Sequence, residues 1–208
     1  KEIKKIYITA SGGPFLHYKK EHLKLITPED AIKHPKWRMG KKISVDSSTL
    51  MNKVFELLEA QKLFNIPNDK IDILIHPNSL VHAIIELKNG LTEFMYHATS
   101  MKIPIANAIF DGNLNINKFY KVKKEKLVKE KLIFKKVDKK IFPIIKFKNK
   151  LNEFASTSII INATNEILVD QFLRKKIPFL AIFRGIKTIL NNRNYKKYAI
   201  RKPKNINQ

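Results

Sequence analysis

The chain has 208 residues, 44% of them hydrophobic, which is enough to bury the core of one domain or of one and a half small ones. The absence of Cys excludes disulfides and thiol chemistry, and the absence of any uncharged apolar run of roughly 18 residues argues against a membrane-spanning helix. The formal net charge of +23 suggests a nucleic-acid-binding protein. However, only five of the 41 basic residues are Arg, and no helix-turn-helix, zinc or RNA-binding pattern is present, so we expect neither nucleic acid nor membrane as a partner.

The first third of the chain alternates between strand, turn and helix patterns. The predicted elements, in chain order, are a strand over 4–10, a glycine turn over 11–15, a short helix from Thr27 that ends before His34, a loop over 36–42, a short strand over 43–45, and a helix capped by Ser47 or Ser48 that continues to about Leu63. Thr27 is a good helix start because Pro28 and two acids follow it.

The rest of the chain changes from strands to helices. The predicted elements are a strand over 71–75, a hairpin of 81–87 with 91–96, a helix from Pro104 to about Phe110, a Lys-rich strand near 131–135, and helices over 144–155, 158–174 and 178–191. Asn89-Gly90 indicates the hairpin, because both central residues of such a turn need positive φ. We therefore predict an α+β fold with a small mixed sheet and helices over 1–120, a linker with a strand over 121–140, and a partial helical bundle over 141–208.

The helix that follows Thr49 is the richest candidate for chemistry. At 100° per residue its apolar side chains fill one face, and Asn52, Lys53 and Glu56 share the other. The hydroxyl-rich run 46–49 at the expected helix start predicts an anion site, which a nearby Lys and Asn would complete as a phosphate cradle. The alternative is a solvated face in which Lys53 and Glu56 form an ordinary i,i+3 pair.

Two loops could complete such a site. The turn SGGPF at 11–15 exposes backbone amides after a strand, although most such turns are only turns. The loop HPKWRMG at 34–40 contains the only Trp, which would either plug the edge of a core or cover a bound substrate as a mobile flap. No GxGxxG or GxxxxGK[ST] pattern occurs, so a dinucleotide fingerprint is absent from this chain.

Together these segments closely resemble the 1-deoxy-D-xylulose 5-phosphate reductoisomerase family. The matching motifs are SGGPF (11–15), HPKWRMGKKISVDSSTLMNK (34–53), FELLEA (55–60), IHPNSLVHA (75–83) and NATNEI (162–167). Their number and order cover essentially the whole chain, which makes the resemblance far more specific than any single motif.

The resemblance implies a role for each residue of the candidate site. Its members would hold the substrate phosphate (Ser11, Ser47, Asn52, Lys53), bind the metal and touch the substrate in catalysis (Glu56), touch the substrate in catalysis from the flap (His34), form the apolar cover of the flap (Trp37, Met39) and lie against NADPH (Gly40). The implied cofactors are NADPH and a divalent cation, Mg²⁺ or Mn²⁺, because all-oxygen ligation suits these ions and not zinc.

The resemblance also implies what the reaction and the protein would be. The reaction rearranges a ketose phosphate to an aldehyde and reduces it with NADPH, giving 2-C-methyl-D-erythritol 4-phosphate in non-mevalonate isoprenoid biosynthesis. The family's NADPH-binding domain, with two of its three metal carboxylates, precedes SGGPF. We therefore expect a fragment that is inactive alone, from an enzyme that is a homodimer in the cytoplasm or the plastid stroma. The alternatives are a phosphosugar-binding module without chemistry and a basic nucleic-acid-binding protein.

Overall fold

A computed structural model of the chain describes residues 2–35, 39–118 and 131–204. Its elements, in chain order, are β1 (Ile3–Ala10), α1 (Pro28–Ala31), α2 (Lys41–Thr49), α3 (Met51–Phe64), β2 (Ile71–Ile75), β3 (Val81–Leu87), β4 (Thr92–Tyr96), α4 (Lys102–Ile109), β5 (Lys135–Lys136), α5 (Thr157–Leu173), α6 (Phe179–Leu190) and α7 (Tyr195–Ala199). The described residues also form 3₁₀ helices at Lys20–Leu25, Asn68–Lys70, Ile116–Lys118 and Pro143–Asn149. This mixture of a small sheet and helices confirms the α+β prediction.

The chain divides into two compact units, one of Lys1–Ser11 with Lys70–Lys136 and one of Gly12–Asp69 with Val137–Gln208. Within the second unit, helices of 12–69 pack with C-terminal helices, as in the contact of α2 with α5. The three-part domain scheme stays a prediction. Within the described ranges, no helix is both long enough and apolar enough to cross a membrane.

The first unit is built on a five-stranded mixed sheet in the order β4-β3-β1-β2-β5. β1 runs parallel to β2 and antiparallel to β3, and β3 pairs antiparallel with β4. Alternate residues of β2 are buried (Ile71, Ile73, Ile75), as expected for a strand with one face on the core. Because β1 and β2 are parallel, their carboxyl ends lie at the same edge of the sheet, where the His76 N–H donates to the Ala10 carbonyl at 2.7 Å.

The second unit is a cluster of helices around an apolar core. α5 packs on α6 and α2, and α3 packs on α2 and on the 3₁₀ helix Pro143–Asn149. The core contains the buried faces of these elements, namely Phe15, Val45, Leu50, Met51, Val54, Leu57, Ile144, Ile161, Val169, Phe172, Ile182 and Ile186. The helices α2 and α3, which carry the candidate site, are therefore anchored in the core by their buried apolar faces.

Most of the predicted elements are confirmed. The structure contains the first strand, the helix at Thr27, the β3–β4 hairpin and the helices α5 and α6. Thr27 and Asp30 form a reciprocal cap, in which Thr27 Oγ1 accepts the Asp30 N–H at 3.2 Å and the Asp30 carboxylate accepts the Thr27 N–H at 3.1 Å. Gly90 has the expected positive φ, +88°, but Asn89 does not, so the prediction that both central residues of the turn have positive φ is wrong although the hairpin itself is present.

Several local predictions are wrong. Residues 43–45 are helical, because α2 begins at Lys41, and the expected single helix from Ser47 is two helices. The expected helix over 144–155 is the shorter 3₁₀ helix Pro143–Asn149, the strand near 131–135 pairs only at Lys135–Lys136, and α7 was not anticipated. Residues 36–38 of the predicted loop and most of the predicted linker, 119–130, lie outside the described residues.

Candidate functional site

The site is organised by a break between α2 and α3. Leu50 adopts the left-handed conformation, with φ 67° and ψ 11°, and its N–H donates to the Ser47 carbonyl at 3.2 Å. This conformation ends α2 and lets α3 begin at the next residue, Met51. Leu50 itself is 2% exposed, so a buried side chain anchors the turn.

The break changes the role of the hydroxyl-rich run 46–49. We expected these residues at a helix start, but they form the last turn of α2, so the predicted caps at Ser47 and Ser48 are wrong. Ser48 Oγ donates to the carbonyl of Val45 at 2.8 Å, as Ser hydroxyls inside helices commonly do. Thr49 Oγ1 donates to the Asp46 carbonyl and accepts the Met51 N–H, each at 3.2 Å, and so connects the end of α2 to the start of α3.

The polar face of α3 carries three of the predicted residues in one cluster. Asn52 Nδ2 donates to Glu56 Oε1 at 2.5 Å, and Lys53 Nζ lies 2.6 Å from Glu56 Oε2. The side chains of Lys53 and Glu56 are 22% and 34% exposed, so this ion pair is partly shielded from water. The Asn52 amide and the Lys53 ammonium thus bind both oxygens of the Glu56 carboxylate. Each of these two groups has further N–H donors that could bind a second anion.

Gly13, in the motif SGGPF, lies against the end of α2. Gly13 has φ +59°, and a Cβ placed on it would lie 3.1 Å from the Ser47 carbonyl oxygen and 3.2 Å from Ser48 Cα. A side chain at position 13 would therefore crowd the backbone of Ser47 and Ser48, so the close packing favours glycine there. Ser47 lies three residues before the left-handed Leu50 and is half-buried.

The flap residues are described in part. His34 is half-buried, and its pKa is lowered, first because burial disfavours the imidazolium and second because the Lys53 ammonium repels it. Met39 is half-buried, and Gly40 caps α2, with its carbonyl accepting from Ser44 Oγ at 2.9 Å. A Cβ at Gly40 would meet no atom of the described residues within 4 Å. Trp37 lies outside the described residues, so its predicted role as an apolar cover stays a prediction.

Ser11 is the last residue of the sheet unit and directly follows β1. It is half-buried and already engaged in an interaction, and its predicted contact with a substrate phosphate stays a prediction.

Reasoning from the sequence missed a buried polar pair beneath the site. Asn165 Nδ2 donates to Asp46 Oδ1 at 2.8 Å, and Lys42 Nζ donates to Asp46 Oδ2 at 3.0 Å. Asp46 is 3% exposed and Asn165 is fully buried. The motif NATNEI did match the family, but nothing in the sequence indicates that residues 119 positions apart meet.

The residues that the structure describes do not form a complete metal site. They contain no group of three or more His, Cys, Asp or Glu side chains that could hold an ion. Glu56 is a single carboxylate, and the Lys53 ammonium already neutralises it. A hard divalent cation needs more oxygen ligands than this chain's described residues bring together.

Comparison with known proteins matches both ends of the chain to one family. Residues 1–64 match the family model of the 1-deoxy-D-xylulose 5-phosphate reductoisomerase C-terminal domain, and residues 97–208 match that of the DXP reductoisomerase C-terminal domain. The 1-deoxy-D-xylulose 5-phosphate reductoisomerase of Pelagibacter ubique is 44% identical over 206 residues, which cover 98% of this chain and 52% of that protein. The enzyme of the same name from Francisella tularensis subsp. holarctica is 40% identical over 212 residues, which cover all of this chain and 52% of that protein.

Solved structures agree with this match. A DOX-P reductoisomerase in complex with NADPH, fosmidomycin and magnesium superposes with a TM-score of 0.86 at 34% identity, covering 94% of this chain and 48% of that one. The reductoisomerase of Zymomonas mobilis in complex with NADPH superposes with a TM-score of 0.85 at 32% identity, covering 99% of this chain and 52% of that one. The chain thus spans about half the length of the relatives it matches.

The packing of Gly13 predicts a measurable loss of stability. Gly13→Ala should lower the free energy of unfolding by about 2–3 kcal/mol. The Ala would have to adopt a positive φ, and its Cβ would crowd the backbone of Ser47 and Ser48. Gly90→Ala is the matched control: its φ is +88° but no atom lies within 4 Å of the new Cβ, so we expect a loss of about 1 kcal/mol. Urea denaturation measures both, and equal losses would contradict the close approach of Gly13 to Ser47.

The lowered pKa of His34 predicts a specific response to pH. Because the folded pKa lies below the unfolded value of 6.5, the unfolded state binds more protons, and the stability contributed above pH 6.5 is lost as pH falls through the folded pKa. NMR titration of the metal-free chain should show that Lys53→Ala raises the pKa of His34 part of the way to 6.5. Lys62→Ala, about 13 Å further along α3, should leave it unchanged. An unchanged pKa in Lys53→Ala would contradict the electrostatic contact.

Proposed function

Because the chain belongs to the DXP reductoisomerase C-terminal domain family, we propose that it supplies the phosphate-binding part of an NADPH-dependent reductoisomerase. The whole protein would convert 1-deoxy-D-xylulose 5-phosphate to 2-C-methyl-D-erythritol 4-phosphate in non-mevalonate isoprenoid biosynthesis. The observation that carries this proposal is the cluster of Asn52, Lys53 and Glu56 that directly follows the α2–α3 break. It combines donors for a phosphate with one carboxylate suited to a cation.

The phosphate site would use two donors that bind Glu56 in the structure, Asn52 and Lys53, together with Ser47 near the end of α2. Lys53 supplies an ammonium, Asn52 an amide and Ser47 a hydroxyl, and phosphate oxygens accept hydrogen bonds from all three. Without substrate, Lys53 and Asn52 bind Glu56, so a phosphate would compete with that carboxylate for the same donors. Binding energy gained at the phosphate, remote from the reacting carbons, would then position the substrate.

The remaining site residues would act around this anchor. Glu56 would provide one oxygen ligand to Mg²⁺ or Mn²⁺, with the other ligands supplied from outside the described residues. The cation, when bound, polarises substrate oxygens as a Lewis acid. His34, with its lowered pKa, would approach the substrate as a neutral imidazole. Trp37 and Met39 would exclude water, and the open surface at Gly40 would leave room for NADPH.

A phosphosugar-binding module without chemistry is the second candidate, and the incomplete set of metal ligands favours it. The two candidates differ in what Glu56 does. If Glu56 is a metal ligand of an enzyme, Glu56→Gln in the full-length protein abolishes metal-dependent NADPH oxidation while the fold survives. In a binding module, neither the original protein nor the variant oxidises NADPH.

The competition between Glu56 and phosphate predicts opposite effects of two variants on the isolated chain. Lys53→Ala should weaken the binding of inorganic phosphate by about tenfold, because one charge-assisted hydrogen bond is lost. Glu56→Gln should strengthen it several-fold, because a like charge and a competing acceptor are removed. Isothermal titration calorimetry measures both, with Lys62→Ala as the control. Weaker phosphate binding in Glu56→Gln would contradict the competition.

A second copy of the protein is the partner we propose. The first unit exposes large apolar side chains on its edge strand β4 (Phe94, Met95), at the N-cap of α4 (Met101) and on α4 (Ile105, Ile109). An edge strand with apolar side chains is prone to pair with another chain, and a twofold contact between identical surfaces is the commonest way in which such faces are covered. A cytoplasmic location, or a stromal one in a plastid, remains part of the same proposal.

This surface predicts a change of oligomeric state in the full-length protein. Replacing Met95, which is 59% exposed on β4, by Lys should shift a dimer towards monomer, because it puts like charges into the twofold contact. Leu63→Lys, at a 70% exposed apolar position on α3, should not. Sedimentation velocity distinguishes the two, and a dimer unaffected by Met95→Lys would contradict the assigned face.

A further inference from the structure

A buried polar pair joins the helix that carries Ser47 to the bundle behind it. Asp46 on α2 accepts a hydrogen bond from Asn165 on α5, with 2.8 Å between Asp46 Oδ1 and Asn165 Nδ2. Its other oxygen accepts from Lys42 Nζ at 3.0 Å. Asp46 is 3% exposed and Asn165 is fully buried, so water contributes almost nothing to this contact.

The pair is an inefficient way to stabilise a core. Asn165 Oδ1 is buried and accepts no hydrogen bond from any residue in the described ranges. The amide cannot simply turn over, because Oδ1 would then face the Asp46 carboxylate. A partly satisfied buried polar group is less favourable than an apolar pair of the same shape. Stability alone therefore does not account for this pair, whereas the specific geometry that it imposes on α2 and α5 could.

The backbone of Asp46 is also hydrogen-bonded, through Thr49, to the start of α3. Its backbone carbonyl accepts from Thr49 Oγ1 at 3.2 Å, and the same Thr49 oxygen accepts the N–H of Met51, the first residue of α3, at 3.2 Å. One residue thus connects α5, through its side chain, to the start of α3, through its carbonyl. The left-handed Leu50 lies inside this connection.

Ser47 and the donors of α3 stand on either side of this connection. Ser47 is the neighbour of Asp46, and Asn52 and Lys53 follow Met51 directly. In the proposed phosphate site the three donors bind one anion, and a small rotation of α2 would move Ser47 relative to Asn52 and Lys53 and separate them. Such displacements weaken a binding site even though no ligand contact is deleted.

We propose that Asp46 and Asn165 are positioning residues that hold Ser47 in register with Asn52 and Lys53 for binding a single phosphate group. The inference rests on the proposed phosphate site and adds the residues that set its geometry. Neither residue touches the phosphate, and Thr49 transmits their constraint to α3.

The test measures the Kd of inorganic phosphate for variants of the chain. Asn165→Leu and Asp46→Asn should each raise this Kd by about fivefold to tenfold. The exchanged double variant, Asp46→Asn with Asn165→Asp, restores one amide–carboxylate hydrogen bond with the same total charge and should return the Kd to within about threefold of the original. The control Asp170→Asn changes an exposed carboxylate on α5 that pairs with Arg174, and should leave the Kd unchanged.

Stability and positioning are separated by temperature and by a second variant. Each Kd is measured well below the melting temperature of its variant, so that loss of stability alone leaves the Kd unchanged. If the variants at the buried pair fail to fold, Thr49→Val removes the connecting hydroxyl with little change of shape and should raise the Kd by a similar factor. Folded Asn165→Leu or Thr49→Val with the original Kd would overturn the proposal.

Amide hydrogen exchange decides the positioning claim independently of phosphate. The Met51 N–H should exchange markedly faster in Asn165→Leu than in the original chain, and at the original rate in Asp170→Asn. If the original chain binds no phosphate, the proposed function fails while the Met51 exchange rate still tests the connection. An unchanged Met51 rate in Asn165→Leu would refute the positioning role.

Discussion

The left-handed turn at Leu50 is the constraint on which the candidate site depends. A non-glycine residue in this conformation costs about 1–2 kcal/mol, and burying a Leu side chain contributes about 2 kcal/mol in return. The core that Leu50 enters therefore stabilises a backbone conformation which the residue would otherwise avoid. Because the turn ends α2 and starts α3, Ser47 lies on one helix and Asn52 and Lys53 on the next, and the proposed phosphate site needs the two helices to hold a fixed relation.

In the ligand-free chain, the charged groups of the site neutralise each other. Glu56 binds the two donors that a phosphate would need, and Lys53 neutralises the carboxylate that a cation would need. A phosphate that draws Lys53 and Asn52 away would leave Glu56 free, so the two kinds of ligand would favour each other's binding. Most Lys residues in the described ranges are exposed, so salt screens their effect on this cluster.

The sequence predicted what depends on local pattern and missed what depends on distant contacts. Helical periodicity placed Asn52, Lys53 and Glu56 on one face, and the capping signal at Thr27 was read correctly. Asn89-Gly90 predicted the hairpin but not its turn geometry, because only Gly90 has positive φ. The break at Leu50 carries no such signal, since Leu is a good helix former and only its burial explains the turn. The pairing of Asp46 with Asn165 likewise could not be read from a pattern. The loops that contain Ser11 and Trp37 were identified from the residues and their specific roles from the family resemblance, and those roles stay predictions.

An NMR titration of the labelled chain with inorganic phosphate tests the central claim most directly, because it reports every backbone amide at once. The account predicts that the largest saturable shift changes fall on Ser47, Asn52 and Lys53, with a smaller response at Asn165 and none centred on the exposed lysines elsewhere. Shift changes spread over the lysine-rich surface, linear in phosphate concentration and without a maximum at the α2–α3 break, would contradict it.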